Sequence, residues 1–149
     1  EFLLKLRDLK DGAKVISVGT TSTRTLESLY FIGVQCIENG EPGAVQQWEP
    51  YRKDYNYTLK ESVGAIVEYM ERNGMEKLVA RTGIIIVPSY KFRVVDVLVT
   101  NFHQPQSTLL LLISAFIGGD WKSVYNYALD NGFRFLSYGD SSLLFRVQR

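Results

Sequence analysis

Val15-Ile16-Ser17-Val18-Gly19-Thr20-Thr21-Ser22-Thr23-Arg24 is the stretch that decides the class of fold. Val15 to Val18 reads as a short buried strand, and Gly19 ends it. Thr20, Thr21 and Ser22 then supply hydroxyls where a helix should begin, and Leu26, Leu29 and Tyr30 carry that helix onward. A strand that passes through glycine into a hydroxyl-capped helix is typical of α/β folds. Gly33 stands where the helix's C-terminal cap is expected.

Upstream, Phe2-Leu3-Leu4 to Leu9 is amphipathic and is closed by Asp11-Gly12. The sequence starts at Glu1 without a methionine and enters this stretch at once, which reads as the last turns of a helix in a fragment of a longer protein. Downstream, Glu38 to Tyr57 holds Asn-Gly, two prolines and three tyrosines and lacks either period, so it reads as a long loop that packs through its aromatics. Thr58-Leu59-Lys60-Glu61 fits a capping box, and the helix it opens carries Val63, Ile66, Val67 and Met70 before stopping at Asn73-Gly74.

Leu78-Val79 and Ile84 to Val87 read as core strand ended by Pro88, and Val94 to Val99 as another with Asp96 inside it. Asn101 to Gln106 is a connecting loop. Ser107 or Thr108 caps an apolar helix that Gly118-Gly119 breaks. Asp120 is expected to cap a further helix from Trp121 to Leu129, closed by Asn131-Gly132. Phe133 to Leu136 reads as a strand, Ser137 to Asp140 as a turn, and Leu143 to Phe145 as the last strand.

The chain has 149 residues, 46% hydrophobic and 22% charged, which excludes a disordered tail and suits one ordinary domain. No apolar run reaches bilayer-spanning length, and the first residues lack the pattern of a signal peptide. The single cysteine, Cys36, leaves no intrachain disulfide and points to a cytoplasmic location. Seventeen basic against 16 acidic residues do not announce a nucleic-acid partner, which would need a local basic patch.

Three segments place polar groups where strands end, which is where α/β sheets hold ligands. At Gly19 to Arg24, a helix N-terminus with small hydroxyl residues suits an anion, and Arg24 could add a bidentate fork. A well-capped helix with Arg24 in solvent accounts for the same pattern. It is not a P-loop, since no Gly-Lys-Ser/Thr ending follows. In Asn101 to Thr108, His103 is the only histidine, able to act as acid, base or donor or to serve as a structural hydrogen-bonding group. No second histidine or cysteine lies at metal-ligand spacing. Asn101 could read a base edge or hold the loop. Ser137-Tyr138-Gly139-Asp140 is by local chemistry a β-turn; its functional reading has Tyr138 stacking on a ring and Asp140 accepting from ribose hydroxyls.

Together the segments resemble a family. Val18 to Ser28, Val94-Val95-Asp96 with Leu98 to His103, Pro105 with Ser107 to Leu110 and Ser114 to Phe116, and Phe133 to Asp140 are similar to successive signatures of the S-adenosylmethionine:tRNA ribosyltransferase-isomerases of queuosine biosynthesis. The resemblance implies transfer and isomerisation of the ribosyl part of S-adenosylmethionine to 7-aminomethyl-7-deazaguanine in tRNA. Epoxyqueuosine-tRNA forms, with adenine and methionine released. S-adenosylmethionine is then a substrate and tRNA the partner, with no metal, no redox cofactor and no membrane.

It also implies a mixed sheet flanked by helices, part of a larger, barrel-like α/β domain. The N-terminal portion of that domain and a second, β-rich domain would lie outside these residues. Residues 1–149 would be the C-terminal share of the catalytic domain, inactive alone, with an insertion at about 34–80. By the same resemblance His103 and Asp140 are the catalytic candidates. Thr20, Thr21, Ser22, Arg24, Asn101, Ser107, Thr108, Tyr138 and Gly139 are the substrate-binding ones. Some positions depart from the family pattern: Ser89 and Val97 stand at glycine positions, and Gln104-Pro105-Gln106-Ser107 lacks a lysine that could meet a phosphate. These departures leave open a divergent branch with a changed RNA substrate. A different class of function on the same scaffold is a non-catalytic tRNA- or nucleotide-binding relative, and the first segment alone would also suit an unrelated phosphate-binding enzyme.

Overall fold

The computed structural model describes residues 1–104 and 107–147. Its elements are α1 (Phe2–Arg7), β1 (Ile16–Val18), α2 (Thr20–Asn39), α3 (Leu59–Arg72), β2 (Val97–Asn101), α4 (Thr108–Ile117), α5 (Trp121–Asp130) and β3 (Ser141–Phe145), with short 3-10 turns before α3 and between α4 and α5. Pro105 and Gln106, which belong to the family-like motif and its departure, lie outside the described residues. The chain forms two compact units whose boundary falls inside α2: Glu1–Ala13 with Thr25–Ile85, and Lys14–Arg24 with Ile86–Arg149.

The second unit holds the sheet. Its order is β1-β2-β3, with β1 parallel to β2 and β2 antiparallel to β3, so the sheet is mixed, as expected for this α/β class. Ser17, Leu98, Thr100 and Leu144 are buried on one face, and α4 packs on β3. Ile16, Val18, Leu143 and Phe145 alternate onto the opposite face and are largely exposed. Asp96 ties the entry of the sheet: its Oδ2 accepts the Val15 N–H at 3.1 Å and its Oδ1 meets Arg146 at 3.0 Å.

In the first unit, Thr58 and Glu61 form the expected capping box at α3, each side chain engaging the other residue's backbone N–H. α3 turns Val63 and Ile66, both 0% exposed, into the core. The aromatic loop also packs as read. Tyr55 is buried edge-on against Phe31 and donates to the Glu49 carbonyl at 3.0 Å, while Gln35 donates to the Glu49 carboxylate at 2.7 Å.

Several sequence expectations are corrected. α1 ends at Arg7, short of Asp11-Gly12. Gly33 does not cap α2: it lies mid-helix, where an added Cβ would collide with the Ser62 carbonyl and hydroxyl. It is there to let α3 come close, and the Ser62 hydroxyl donates to the Tyr30 carbonyl at 2.6 Å. The helix stops at Gly40, which has φ +80°.

Leu78-Val79 and Ile84 to Val87 form no strand of the sheet. The 81–85 backbone instead pairs with the aromatic loop, through one isolated bridge at Val45 and Thr82 and an Ile85 N–H to Gln47 carbonyl bond of 3.1 Å. Val79 is 86% exposed, so its apolar character does not mark core. Asp120 gives α5 no side-chain cap, because it already sits in a helical conformation inside the preceding 3-10 turn. Phe133 to Leu136 is not a strand, for reasons that belong to the site.

Candidate functional site

Sheet topology brings the three polar segments to one end of the sheet. β1 and β2 are parallel, so Gly19 and Phe102 leave from the same end; β3 is antiparallel and starts there, so residues 133–140 enter at that end too. The Gly19 N–H donates to the Val99 carbonyl at 2.8 Å, fixing the first loop beside the second. All eleven sequence-derived site residues fall in the second unit.

At the first segment, Gly19 takes φ +87°, which a side chain would resist, and α2 begins at Thr20. Thr20 is buried, Thr21 and Ser22 are exposed, and Arg24 is half-buried. The hydroxyl that knits this turn is Thr23, missed in the sequence reading. It donates to Ser17 Oγ at 2.9 Å or to the Gly19 carbonyl at 3.0 Å and is 0% exposed. Its signal was the i, i+4 spacing to Gly19, inside the first helical turn.

The second and third segments are bonded directly to each other. Asn101 Nδ2 donates to the Gly139 carbonyl at 3.1 Å and approaches Ser141 Oγ at 3.4 Å, so its amide holds the turn. The Leu136 N–H donates to the Phe102 carbonyl at 2.9 Å. Phe102 is buried, with the rings of Tyr125, Phe133 and Phe135 at 5.4, 5.6 and 5.4 Å. This explains the false strand. Phe133 and Phe135 alternate because both reach Phe102, while the backbone bonds singly to Ala128 and Phe102 and builds no strand ladder.

Asp140 closes that local structure. Its Oδ2 accepts the Arg134 N–H at 2.8 Å, its own N–H donates to the Arg134 carbonyl at 2.8 Å, and the Arg134 guanidinium lies 3.6 Å from Oδ1. The Arg134 N–H, with the guanidinium behind it, holds the carboxyl below its ordinary range. Gly139 is required here, since a Cβ would strike the Arg134 carbonyl. Leu136 adopts φ +70° to make the reversal. Tyr138 stands out at 96% exposed.

His103 is half-buried. Its Nε2 lies 3.1 Å from Thr100 Oγ1, and its backbone N–H donates to the Tyr125 hydroxyl at 3.2 Å. Burial lowers its affinity for a proton, so the imidazole stays neutral further into acid than usual. Burial likewise raises the Tyr125 phenol. Thr100 was legible as the third residue before His103, but Tyr125 lies on α5, and no local spacing announces it. Ser107 caps α4 by accepting the Leu109 N–H at 3.1 Å, and Thr108 is its exposed first residue. Among the described residues no group of three His, Cys, Asp or Glu gathers to hold a metal ion.

Known proteins resemble this chain over most of its length. The profile of the family described as queuosine biosynthesis protein matches residues 4–144. The chain belongs to that family. Two relatives, both S-adenosylmethionine:tRNA ribosyltransferase-isomerases, from Brucella ovis and Brucella canis, are 41% identical over 137 residues. Those residues are 91% of this chain and 27% of each relative, so the chain spans about a quarter of the length of the family members it matches. A crystal structure of S-adenosylmethionine tRNA ribosyltransferase from Thermotoga maritima superposes with a TM-score of 0.61 at 31% identity, covering 95% of this chain and 36% of that one. Family membership therefore rests on nearly the whole chain, including the sheet end where the three segments meet. No described helix is long and apolar enough to cross a membrane.

Proposed function

We propose that the chain supplies part of the catalytic domain of an enzyme that transfers and isomerises the ribosyl moiety of S-adenosylmethionine to 7-aminomethyl-7-deazaguanine in tRNA. The product is epoxyqueuosine-tRNA, and adenine and methionine are released; no cofactor takes part, and the enzyme works in the cytoplasm. The observation that carries this reading is the convergence of the three segments at one end of the sheet, in a family whose relatives bear that activity in their names.

The donor has a carboxylate, a ribose diol and an adenine. The N-terminus of α2, with Thr20 to Ser22 and Arg24, suits the carboxylate or a tRNA phosphate. Tyr138, 96% exposed, would stack on a ring, and Ser107 and Thr108 at the start of α4 complete the proposed binding set. Asp140 stays ionised, as an acceptor for ribose hydroxyls should, although its bonds to Arg134 occupy part of that capacity. A proton must leave the carbon next to the sulfonium. His103 is neutral, the form that accepts a proton, and Thr100 fixes its Nε2, which leaves Nδ1 to meet the substrate.

Adenine release from S-adenosylmethionine by the intact protein, with and without tRNA carrying the deazaguanine, tests the reaction. Release that depends on the modified tRNA is expected. Binding of tRNA with no adenine would replace the enzyme by a non-catalytic binding relative. His103→Ala should lower turnover by roughly 100-fold or more with little loss of stability, and full activity would remove His103 from the mechanism.

A further inference from the structure

β2 ends in a side chain of which only one half is engaged. Asn101 Nδ2 donates to the Gly139 carbonyl at 3.1 Å and approaches Ser141 Oγ at 3.4 Å. Those acceptors fix which end of the amide faces the turn, because a rotated amide would set Oδ1 against the Gly139 carbonyl oxygen. Oδ1 is therefore turned away from the 137–140 loop, and no donor meets it among the described residues.

Strand alternation puts Asn101 on the sheet face that carries Val99, in register with Ser141. Asn101 is half-buried, and its neighbours on that face, Val18 and Leu143, are 68% and 58% exposed. A ligand at this end of the sheet can therefore reach the oxygen.

The chemistry around Oδ1 selects the ligand. An amide offering both its ends can read adenine through N6 and N7, but here the donating end is spent on Gly139. One acceptor remains. Residues 99–104 and 137–144 contain no lysine or arginine to repel a cation, and Arg134, just before the turn, is engaged by Asp140 at 3.6 Å. These surroundings suit a group that donates without accepting, a primary amine in its ammonium form. Both proposed substrates carry one: the aminomethyl group of the deazaguanine and the α-amino group of S-adenosylmethionine.

We propose that Asn101 is a specificity-determining residue whose Oδ1 accepts an N–H from a substrate's primary amine while its Nδ2 holds the Gly139 turn; the inference rests on the reaction proposed above. The residue thus ties recognition of the amine to the placement of the 137–140 loop.

The test compares affinities of the intact protein for paired ligands that differ in the amine. One arm uses tRNA carrying 7-aminomethyl-7-deazaguanine against the same tRNA with a nitrile in place of the aminomethyl group, without S-adenosylmethionine. The other uses S-adenosylmethionine against its analogue lacking the α-amino group, with unmodified tRNA present. The parent should prefer the amine by roughly ten-fold in one arm, which names the substrate that Asn101 meets. Asn101→Ala should bring that preference to within about two-fold of parity, whatever the loss of the Gly139 bond does to both affinities alike. Asn101→Asp, which keeps an oxygen and adds charge, should retain or widen the preference, and it carries the test if Asn101→Ala does not fold. A parental preference that survives in Asn101→Ala, or is lost in Asn101→Asp, would overturn the proposal, as would a parent with no amine preference in either arm. In each of those cases adenine release that depends on the modified tRNA leaves the enzymatic reading standing. Absence of that release in the parent would overturn the reading and this proposal with it.

Discussion

Two irregular aromatic segments in this chain have opposite fates. Residues 48–57 turn part of their length inward: Tyr55 is 7% exposed, Glu49 is 8% exposed, and the Tyr51 hydroxyl donates to the Ile85 carbonyl at 3.2 Å, while Trp48 stays 53% exposed. Residues 133–140 hold their backbone through Asp140 and Phe102 yet leave Tyr138 at 96% and Leu136 at 47% exposed. The first segment uses Tyr55 as core. The second uses two rings as an anchor and displays Tyr138 and Leu136 at the end of the sheet that carries the candidate site. Irregular backbone is stable in both places because its polar groups find partners, so irregularity alone does not separate a packing loop from a functional one. The contrast between Tyr55, which is buried, and Tyr138, which is displayed, does.

The largest effect that would break this contrast is expected at Tyr55→Ala. Loss of the edge-on contact with Phe31 and of the bond to Glu49 should cost about 3–5 kcal/mol, read from urea unfolding. A cost under about 1 kcal/mol would mean that the 48–57 segment is not core. Gly139→Ala comes next. The added Cβ meets the Arg134 carbonyl, so about 1–3 kcal/mol should be lost by the same measurement. Adenine release by the intact protein should fall with it as the turn is displaced from Asn101. The smallest effect on folding belongs to Tyr138→Ala, expected within about 0.5 kcal/mol of the parent. Its tRNA or S-adenosylmethionine affinity should nonetheless drop by about 1–3 kcal/mol if the ring stacks on a base. Unchanged affinity would leave the display without a purpose.

Much of the fold was legible because its signals are local. The Thr58-Glu61 capping box, the Ser107 cap and the Gly19 turn each depend on residues within four positions of one another. What failed were readings that needed a distant partner. Gly33 looks like a stop until Ser62 is placed against it, and Ile84 to Val87 look like sheet until Ile85 is seen to donate to the Gln47 carbonyl. Phe133 and Phe135 mimic a strand because Phe102, about 30 positions earlier, imposes the alternation. For the site, the three segments could be named, but not their juxtaposition. Tyr125 as a support of His103, and Arg134 as the partner of Asp140, follow only from packing.

The parallel pairing of β1 with β2 also sets an order in time. During synthesis β1 leaves the ribosome well before β2, and residues 25–85, which with Glu1–Ala13 make one compact unit, can collapse before β2 arrives. The register of Ile16 with Val97 is settled only once β2 has emerged, and the antiparallel strand from Ser141 comes later still. The sheet end that gathers the three segments is therefore completed only when β3 pairs with β2, a step that closes a long loop and pays that entropy late.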